Sequence, residues 1–270
     1  GAKSYAKELI AQGAKPKRVR DIPFEAPAEL FEGFRKSIAK KARGFLAPWK
    51  IIDCVEAAAN MDFDAGLTRE GELFMELYES PETAAQQHVF FAERQVGKIP
   101  DVPKDTPKLP VKEVAVIGAG TMGGGIAMCF ANAGFSVTLV DANDEGLERG
   151  LGIINKNYAS RVNRGRMSQE AMDRVMGLIS GTTDFDAVGT ADLVIEAVFE
   201  EMELKKEIFT KLDAIAKPEA ILATNTSTLD VDAIASVTKR PERVVGMHFF
   251  SPANIMRLLE VVRGKESSAT

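Results

Sequence analysis

The stretch Val114-Ala-Val-Ile-Gly-Ala-Gly-Thr-Met-Gly-Gly-Gly-Ile-Ala127 predicts a buried β-strand, a tight turn and the start of an α-helix. Within it, Gly118, Gly120 and Gly123 have the G-x-G-x-x-G spacing of turns that bind the pyrophosphate of a dinucleotide. Gly118 permits the sharp turn, Gly120 lets a phosphate approach the backbone, and Gly123 lets the helix pack closely on the strand. The helix N-terminus would add free N–H groups and the positive end of its dipole.

The next apolar stretch, residues 135–140, predicts a second strand that ends at Asp141. In dinucleotide-binding folds, an acidic residue about 20 positions beyond the motif binds the ribose hydroxyls. A carboxylate there accepts hydrogen bonds from both hydroxyls and repels a 2′-phosphate, so we expect NAD rather than NADP. The alternative is a structural glycine turn followed by an ordinary Asp. The order of strand, turn, helix, strand and acid favours the nucleotide site.

The composition is that of an ordinary globular protein, with 270 residues of which 45% are hydrophobic and 27% are charged. The net charge of −5 argues against a nucleic-acid-binding surface. No apolar run is long enough to span a bilayer, and no secretory signal is recognised. We expect an intracellular protein in which Cys54 and Cys129 are reduced core residues, and the alternative is a disulfide between them.

The two histidines and the lack of a C-x-x-C pair predict that the protein has no metal site. His88 lies on the apolar face of a predicted helix, and we expect it to pack there. The sequence opens on Gly1, inside a helical pattern, and it ends in a polar tail. We expect it to be a fragment of a longer protein.

The pattern of elements predicts three parts. Residues 1–97 predict helices without a sheet, and the proline-spaced residues 98–110 predict a linker. From residue 111 to residue 270, strands alternate with helices, which predicts an α/β fold with a doubly wound, mostly parallel sheet of the Rossmann type. A helical pair over residues 144–165 and 168–178 is predicted as an insertion between two strands.

The helical pair carries a group of cationic side chains. They are Arg149, Lys156, Arg161, Arg164 and Arg166. Such charges usually belong to a solvated helix face. The alternative is a cationic arm that contacts an anionic substrate, such as a coenzyme A phosphate.

Polar residues follow two predicted strands at their carboxyl ends, where ligands bind in open α/β sheets. Glu200 follows the strand 191–198, and Lys205 lies in the next helix. These two residues are candidates for contacts to the nicotinamide-side ribose, or they are ordinary charges of a first helical turn. The cluster Asn225-Thr-Ser-Thr228 follows the strand 220–224. It suits contacts to a ligand hydroxyl or carbonyl, or it caps the next helix.

His248 lies at the end of another predicted strand and faces the same crevice. Glu260 lies in the apolar stretch 257–262, which predicts a further strand. A buried carboxylate in an apolar strand needs a partner, and we predict that this partner is His248. The pair would hold the imidazole in one tautomer and raise its basicity, which suits a general base near neutral pH. The alternative is a structural histidine.

Together, these motifs resemble the NAD domain of the L-3-hydroxyacyl-CoA dehydrogenase family over about residues 111–264. The motifs that carry the resemblance are Gly118-Ala-Gly-Thr-Met-Gly-Gly-Gly-Ile-Ala127, Asp141, Glu196-Ala-Val-Phe-Glu200, Asn225-Thr-Ser-Thr-Leu229, Gly246-Met-His-Phe-Phe-Ser-Pro252 and Arg257-Leu-Leu-Glu-Val261.

The resemblance implies the chemical roles. His248 would take the proton of the substrate's 3-hydroxyl, Glu260 would orient it, and Ser227 would hydrogen-bond the reacting oxygen. Hydride would pass from C3 to NAD⁺. The implied cofactor contacts are Gly118, Gly120, Met122, Gly123, Asp141, Val198, Phe199, Glu200, Lys205, Asn225 and Ser251. Ser251 departs from the family pattern, because many members carry Asn at this position.

The leading third resembles the helices that close the hydratase domain of multifunctional β-oxidation enzymes. The motifs are Gly71-Glu-Leu-Phe-Met-Glu-Leu-Tyr-Glu-Ser-Pro81 and His88-Val-Phe-Phe-Ala-Glu-Arg94. The resemblance implies a parent protein that is also an enoyl-CoA hydratase and isomerase. Its implied partners are an acyl-CoA substrate and a thiolase or a second copy, and its compartment is the bacterial cytoplasm or the peroxisome. We expect no hydratase activity from this chain, which does not contain the hydratase's catalytic glutamates.

Two other functions compete with this prediction. One is a related β-hydroxyacid or sugar-nucleotide dehydrogenase, and the pairing of His248 with Glu260 argues against it. The other is an NAD(H)-binding part that is inactive alone, because the helical domain that closes the acyl-CoA site in this family is not in the sequence.

Overall fold

The computed structural model of the protein describes residues 1–15, 18–22 and 24–270. These residues fold into two compact units, Gly1–Asp101 and Val102–Thr270. The first unit is helical, as predicted for the leading third. Its helices are α1 (Ala2–Ala11), α2 (Ala28–Ile38), α3 (Ala47–Asn60), α4 (Phe63–Tyr78) and α5 (Pro81–Gln95), with a 3₁₀ turn at Val19–Asp21.

The helix starts in the first unit follow from local capping chemistry. The Asp62 side chain accepts a hydrogen bond from the Ala65 N–H at 2.9 Å, which begins α4. Ser80 accepts one from the Thr83 N–H at 3.3 Å, and Pro81 takes the first helical position of α5. The predicted packing role of His88 is wrong, because its side chain is exposed on α5.

The strands that the structure describes in the second unit form one seven-stranded sheet. They are β1 (Glu113–Ile117), β2 (Ser136–Val140), β3 (Ile179–Thr182), β4 (Leu193–Glu196), β5 (Ile221–Thr224), β6 (Val244–Phe249) and β7 (Leu259–Arg263). The order is β3-β2-β1-β4-β5-β6-β7, and β7 pairs with β6 in the antiparallel direction. The chain reverses its winding between β1 and β4, so the predicted doubly wound, mostly parallel sheet is confirmed.

The edge strand β3 is missing from the sequence prediction, which placed no strand between the helical pair and residue 191. It is four residues long, it contains Gly181, and none of its residues is fully buried. It pairs with β2 along one side, with Val137 opposite Ile179. A short, half-exposed strand has neither the apolar run nor the alternation that marks a strand in a sequence.

The helices of the second unit cover both faces of the sheet. They are α6 (Thr121–Asn132), α7 (Asp144–Asn163), α8 (Gln169–Met176), α9 (Met202–Ile215) and α10 (Val231–Ala235), with 3₁₀ turns at Phe185–Thr190 and Pro241–Arg243. The predicted helical-pair insertion is α7 and α8. Ser168 caps α8, with its hydroxyl 3.1 Å from the Ala171 nitrogen.

The core lies in two clusters, one on each face of the sheet. Val114 and Val116 of β1 belong to one cluster, and Ala115 and Ile117 belong to the other. Successive residues of a strand point to opposite faces, so a strand covered on both sides is apolar throughout. Within the described residues, we find no helix that is long and apolar enough to cross a membrane.

Candidate active site

The glycine turn connects β1 to α6 and leaves no room for side chains at two positions. Gly118 has φ of +96°, and a Cβ there would lie 2.8 Å from the carbonyl oxygen of Ala197. A Cβ on Gly123 would lie 1.7 Å from the carbonyl oxygen of Gly118. Gly120 caps the start of α6 and has open space beside it. The turn therefore leaves a bare backbone facing open space at the N-terminus of a helix, which suits a pyrophosphate.

Asp141 lies at the carboxyl end of β2 and also supports the turn. Its Oδ2 accepts a hydrogen bond from the Ala119 N–H at 2.8 Å. A Cβ on Gly146 would lie 2.5 Å from Oδ1 of Asp141, so α7 approaches the carboxylate closely. Gly146 is not among the site residues predicted from the sequence. The sequence feature that could have identified it is its position one turn after Asn143, which caps α7.

A cleft of about 1000 Å³ opens beside the turn. Of the predicted cofactor contacts, it is lined by Gly118, Gly120, Met122, Asp141, Val198 and Phe199. Its other walls include apolar side chains of β1, β2 and α9, together with Arg149 of α7. A concave, largely apolar cleft with a few polar groups, at the carboxyl ends of parallel strands, fits a dinucleotide.

Glu200 lies outside this cleft and holds the turn that follows β5. Its Oε1 accepts hydrogen bonds from Thr226 Oγ1 at 2.6 Å, from the Ser227 nitrogen at 2.8 Å, from Ser227 Oγ at 3.2 Å and from the Thr228 nitrogen at 3.3 Å. Burial raises the pKa of Glu200, but these hydrogen bonds and the charge of Lys205 outweigh it and lower the pKa to about 2. The carboxylate is therefore ionised at neutral pH.

Lys205 is an interior residue with 1% of its side chain exposed. Its Nζ lies 2.7 Å from Oε1 of Glu196 and 3.4 Å from Oε2 of Glu200. The prediction that Lys205 contacts the cofactor does not fit this burial, and neither does the alternative of a solvated helix charge. The helical pattern of α9 marks which face is buried, but it does not reveal that Glu196 of β4 lies beneath that face.

The cluster after β5 holds neighbouring chain segments together, and it does not cap the next helix as predicted, because Asp230 caps α10. Asn225 Oδ1 accepts a hydrogen bond from the Phe249 N–H at 2.9 Å, so it joins the end of β5 to the end of β6 beside His248. Thr226 Oγ1 accepts one from the Leu229 nitrogen at 2.9 Å, which closes the turn before α10. Ser227 is exposed, and its hydroxyl donates to Glu200 Oε1 at 3.2 Å.

His248 and Glu260 face each other across the antiparallel pair of β6 and β7. His248 Nδ1 lies 2.8 Å from Glu260 Oε2. The side chain of His248 is 19% exposed and that of Glu260 is 51% exposed, so the prediction of a buried carboxylate is wrong. The reason is that β7 lies at the edge of the sheet. When Nδ1–H donates to the carboxylate, Nε2 carries the free lone pair of the neutral ring, which suits a base.

The remaining predicted positions are Ser251 and the cations of the helical pair. Ser251 is exposed after β6, and the loop that contains it packs on α6, where Cys129 Sγ lies 3.2 Å from the carbonyl oxygen of Ala253. Of the cations of the helical pair, Arg149 lies 3.6 Å from Glu145. In the described part of the chain, no group of three or more His, Cys, Asp or Glu residues is arranged to hold a metal ion.

A doubly wound sheet, a bare glycine turn with an acid after β2, and a histidine–carboxylate pair at the carboxyl edge define the class of NAD-dependent dehydrogenases. Residues 113–270 match the family described as 3-hydroxyacyl-CoA dehydrogenase, NAD binding domain. The chain belongs to this oxidoreductase family, whose cofactor is NAD, and the resemblance predicted from the motifs is confirmed.

The relatives are longer proteins. The peroxisomal bifunctional enzyme of Homo sapiens is 38% identical over 273 residues, which is 98% of this chain and 38% of that protein. A peroxisomal fatty acid beta-oxidation multifunctional protein of Arabidopsis thaliana is 41% identical over 267 residues, which is 96% of this chain and 37% of that protein. The chain therefore spans less than two fifths of the length of these relatives.

Solved structures of dehydrogenases are similar to the second unit in sequence and fold. The 3-hydroxybutyryl-CoA dehydrogenase of Escherichia coli K12 is 45% identical with a TM-score of 0.59, over 60% of this chain and 34% of that chain. The dehydrogenase part of multifunctional enzyme 1 from C. elegans is 37% identical with a TM-score of 0.57, over 64% of this chain and 40% of that chain.

Proposed function

We propose that this chain is the cofactor-binding and proton-transferring part of an enzyme that oxidises L-3-hydroxyacyl-CoA to 3-ketoacyl-CoA in fatty-acid β-oxidation. The observation that carries the proposal is the 2.8 Å contact between His248 Nδ1 and Glu260 Oε2 at the carboxyl edge of a dinucleotide-binding sheet. When bound, NAD⁺ supplies the acceptor for the hydride.

His248 is the general base of the proposed reaction. Its Nε2 takes the proton of the 3-hydroxyl while the C3–H bond breaks, with its electron pair leaving as hydride, and the C3–O double bond forms. Glu260 holds the ring by accepting from Nδ1–H, and its negative charge stabilises the imidazolium that results. In the reverse direction, the same imidazolium returns the proton to the oxygen.

Ser227 is the hydrogen-bond donor to the reacting oxygen in this proposal. Its hydroxyl lies 3.2 Å from Glu200 Oε1, and a hydroxyl has one proton to donate. A bond to substrate therefore replaces the bond to Glu200. The carboxylate would keep its other donors, Thr226 Oγ1 and the Ser227 and Thr228 nitrogens.

We propose that the cofactor lies along the cleft from the glycine turn to the end of β4. The turn would hold the pyrophosphate and Asp141 the adenosine ribose. Glu200 and Asn225 would contact the nicotinamide side, with Ser251 beside the ring. The full set of proposed contacts is Gly118, Gly120, Met122, Gly123, Asp141, Val198, Phe199, Glu200, Asn225 and Ser251.

The cationic side chains of the helical pair are candidates for the coenzyme A phosphates. Arg161, Arg164 and Arg166 are exposed around the end of α7. Exposed guanidinium groups bind phosphate oxygens in a bidentate fashion and lose little solvation in doing so. We propose acyl-CoA thioesters, rather than free hydroxyacids, as the substrate class.

The whole protein is proposed to be a multifunctional β-oxidation enzyme with hydratase and isomerase activity. Residues 1–97 would close its hydratase domain, residues 98–110 would be the linker, and residues 111–270 the NAD-binding domain. A thiolase or a second copy would be its partner. Relatives named peroxisomal and glyoxysomal support the peroxisome over the bacterial cytoplasm as its compartment.

The test is NADH consumption with acetoacetyl-CoA, measured beside NADH binding by calorimetry. His248→Gln is expected to leave binding unchanged and to lower turnover by about 10²–10⁴-fold, the range for loss of a general base. His88→Gln is the matched control, since His88 is exposed on a helix of the first unit, and it should change neither quantity. Lack of NADH binding by the unchanged chain would contradict the proposed function.

The second candidate is an NAD(H)-binding part without turnover of its own. The Glu260 side chain is 51% exposed, which favours this second candidate. A solvent-exposed carboxylate orients a base less well than a buried one. Binding of NADH without turnover in the unchanged chain would support this candidate. Turnover of free hydroxyacids in preference to acyl-CoA would support a different dehydrogenase.

A further inference from the structure

Glu196 is a buried carboxylate that the proposed reaction does not use. It lies at the end of β4 with 0% of its side chain exposed, between Ile117 of β1 and Thr224 of β5. An ionised carboxylate inside an apolar sheet costs free energy unless charge and hydrogen bonds compensate it. The contacts of Glu196 therefore indicate the role of this buried carboxylate.

The contacts of Glu196 satisfy both carboxylate oxygens. Oε1 accepts from the Val198 N–H at 2.8 Å and from Lys205 Nζ at 2.7 Å. Oε2 accepts from Thr224 Oγ1 at 2.8 Å. Through Val198 and Thr224, the carboxylate fixes the carboxyl ends of both β4 and β5, where the site lies.

The same network continues outward to the exposed site. Lys205 Nζ lies 3.4 Å from Glu200 Oε2, and Glu200 Oε1 accepts from the nitrogen and hydroxyl of Ser227. Thr224 Oγ1 also accepts from the Thr226 nitrogen at 3.3 Å, so a second branch reaches the same turn. A continuous chain of polar contacts thus joins buried Glu196 to exposed Ser227.

We propose that Glu196 and Lys205 are positioning residues, which hold Glu200 charged and in place so that it orders the turn 226–228 and keeps Ser227 aimed at the reacting oxygen. This inference rests on the proposed function. The Lys205 ammonium lies between two carboxylates, one of them buried and the other at the site.

The test is a double-mutant cycle with Lys205→Met, Glu196→Gln and the double variant. Lys205→Met alone leaves Glu196 without its cation and should lower the melting temperature. The double variant removes both charges and should recover that temperature. NADH dissociation constants should nevertheless stay about tenfold higher than in the unchanged chain, because Glu200 has lost its counter-charge. Turnover should fall in parallel.

The pH dependence of NAD⁺ binding separates positioning from stability. The charge of Lys205 is one of the factors that lower the pKa of Glu200. Among the described residues, the charged group in contact with Glu200 is Lys205, and Glu196 lies behind it. In the unchanged chain, affinity should therefore stay level from pH 8 to about pH 4. In the double variant, the pKa of Glu200 rises, and affinity should begin to fall at a higher pH.

Two further variants keep the inference open to refutation. Lys206→Met is the matched control, because this neighbouring lysine pairs with Glu203 at the surface at 3.1 Å, and it should change nothing. Thr226→Val breaks the network at its outer end without disturbing a buried charge, and it should lower turnover more than NADH affinity. A folded double variant, or a folded Thr226→Val variant, with unchanged affinity, turnover and pH profile would overturn the inference. Failure of the unchanged chain to bind NADH would instead overturn the proposed function.

Discussion

Neighbouring glycines of α6 have different surroundings. A Cβ on Gly123 would lie 1.7 Å from the Gly118 carbonyl oxygen, a backbone atom that cannot move without opening the turn. A Cβ on Gly124 would lie 3.6 Å from Ile154 Cγ1, which is an ordinary packing distance. The close approach of helix and strand at Gly123 is therefore a requirement of the turn, whereas Gly124 tolerates a methyl group.

Gly123→Ala is expected to destabilise the chain by about 1–3 kcal/mol, the usual cost of overpacking, and to abolish NADH binding. Gly124→Ala is expected to be neutral, or stabilising by up to about 1 kcal/mol, because alanine favours a helix over glycine. Thermal unfolding and calorimetric NADH titration of both variants give the measurement. Equal effects of the two substitutions would contradict the role of Gly123.

At the residue scale, the sequence predicts which residues carry the chemistry better than it predicts which residues surround them. The glycine spacing and the acid at Asp141 are local patterns, and in the structure Gly118, Gly120 and Asp141 line one cleft. The pairing of His248 with Glu260 could be predicted because both lie in neighbouring strands of one hairpin. The interior position of Lys205 could not, since it depends on Glu196, a residue of another element.

Asp192 ties three elements together just before β4. Its Oδ2 accepts from the Lys112 and Glu113 nitrogens at 2.8 and 3.0 Å, and its Oδ1 lies 2.8 Å from Lys217 Nζ, beyond α9. The hydrogen bond from Lys217 and the backbone N–H groups lower the pKa of Asp192 from 3.8 to about 2. The carboxylate therefore fixes where β1 begins beside β4.

This shift makes part of the stability depend on pH. Because the folded pKa lies below the unfolded value, the contribution is fully present above about pH 4 and is lost as pH falls towards 2. Asp192→Asn should lower stability by about 1 kcal/mol at neutral pH. The measurement is the melting temperature from pH 7 to pH 2, and the gap to the unchanged chain should close in acid. The exposed Asp105→Asn control should show no gap, and a gap for Asp192→Asn that stays constant with pH would refute the assignment.

At the element scale, the sequence predicts buried strands and capped helices, because apolar runs and capping residues are features of the local sequence. Ser80 and Ser168 mark the starts of α5 and α8 in this way. The edge strand β3 lacks such a signal, because its order comes from pairing with β2 rather than from its own burial. The exposure of Glu260 could not be predicted either, since nothing in residues 257–262 reveals that β7 is an edge strand of the sheet.

At the scale of the whole molecule, the segment that follows His248 leaves apolar side chains exposed. The apolar side chains of Ile255, Leu258 and Val261, on the segment between His248 and the end of β7, are each more than half exposed. Apolar surface of this kind usually meets another part of a protein or a ligand.

We therefore expect the isolated chain to bind NADH and to turn over acetoacetyl-CoA slowly. Its kcat should lie at least about a hundredfold below the 10 s⁻¹ that is typical of enzymes, because the substrate is not enclosed and water competes at the base. Calorimetry and steady-state kinetics on one preparation give the comparison. A kcat near 10 s⁻¹ would show that these residues alone enclose the substrate well enough.

The antiparallel hairpin of β6 and β7 has a consequence for how the site assembles. Its facing pair, His248 and Glu260, is separated by 12 residues of chain, whereas the walls of the cofactor cleft are drawn from positions 117 to 215. Contacts of low sequence separation form quickly during folding, and distant ones must wait for loop closure. The two proton-handling side chains are thus brought together by one hairpin, while Asn225 and the pairing with β5 join that hairpin to the rest of the sheet.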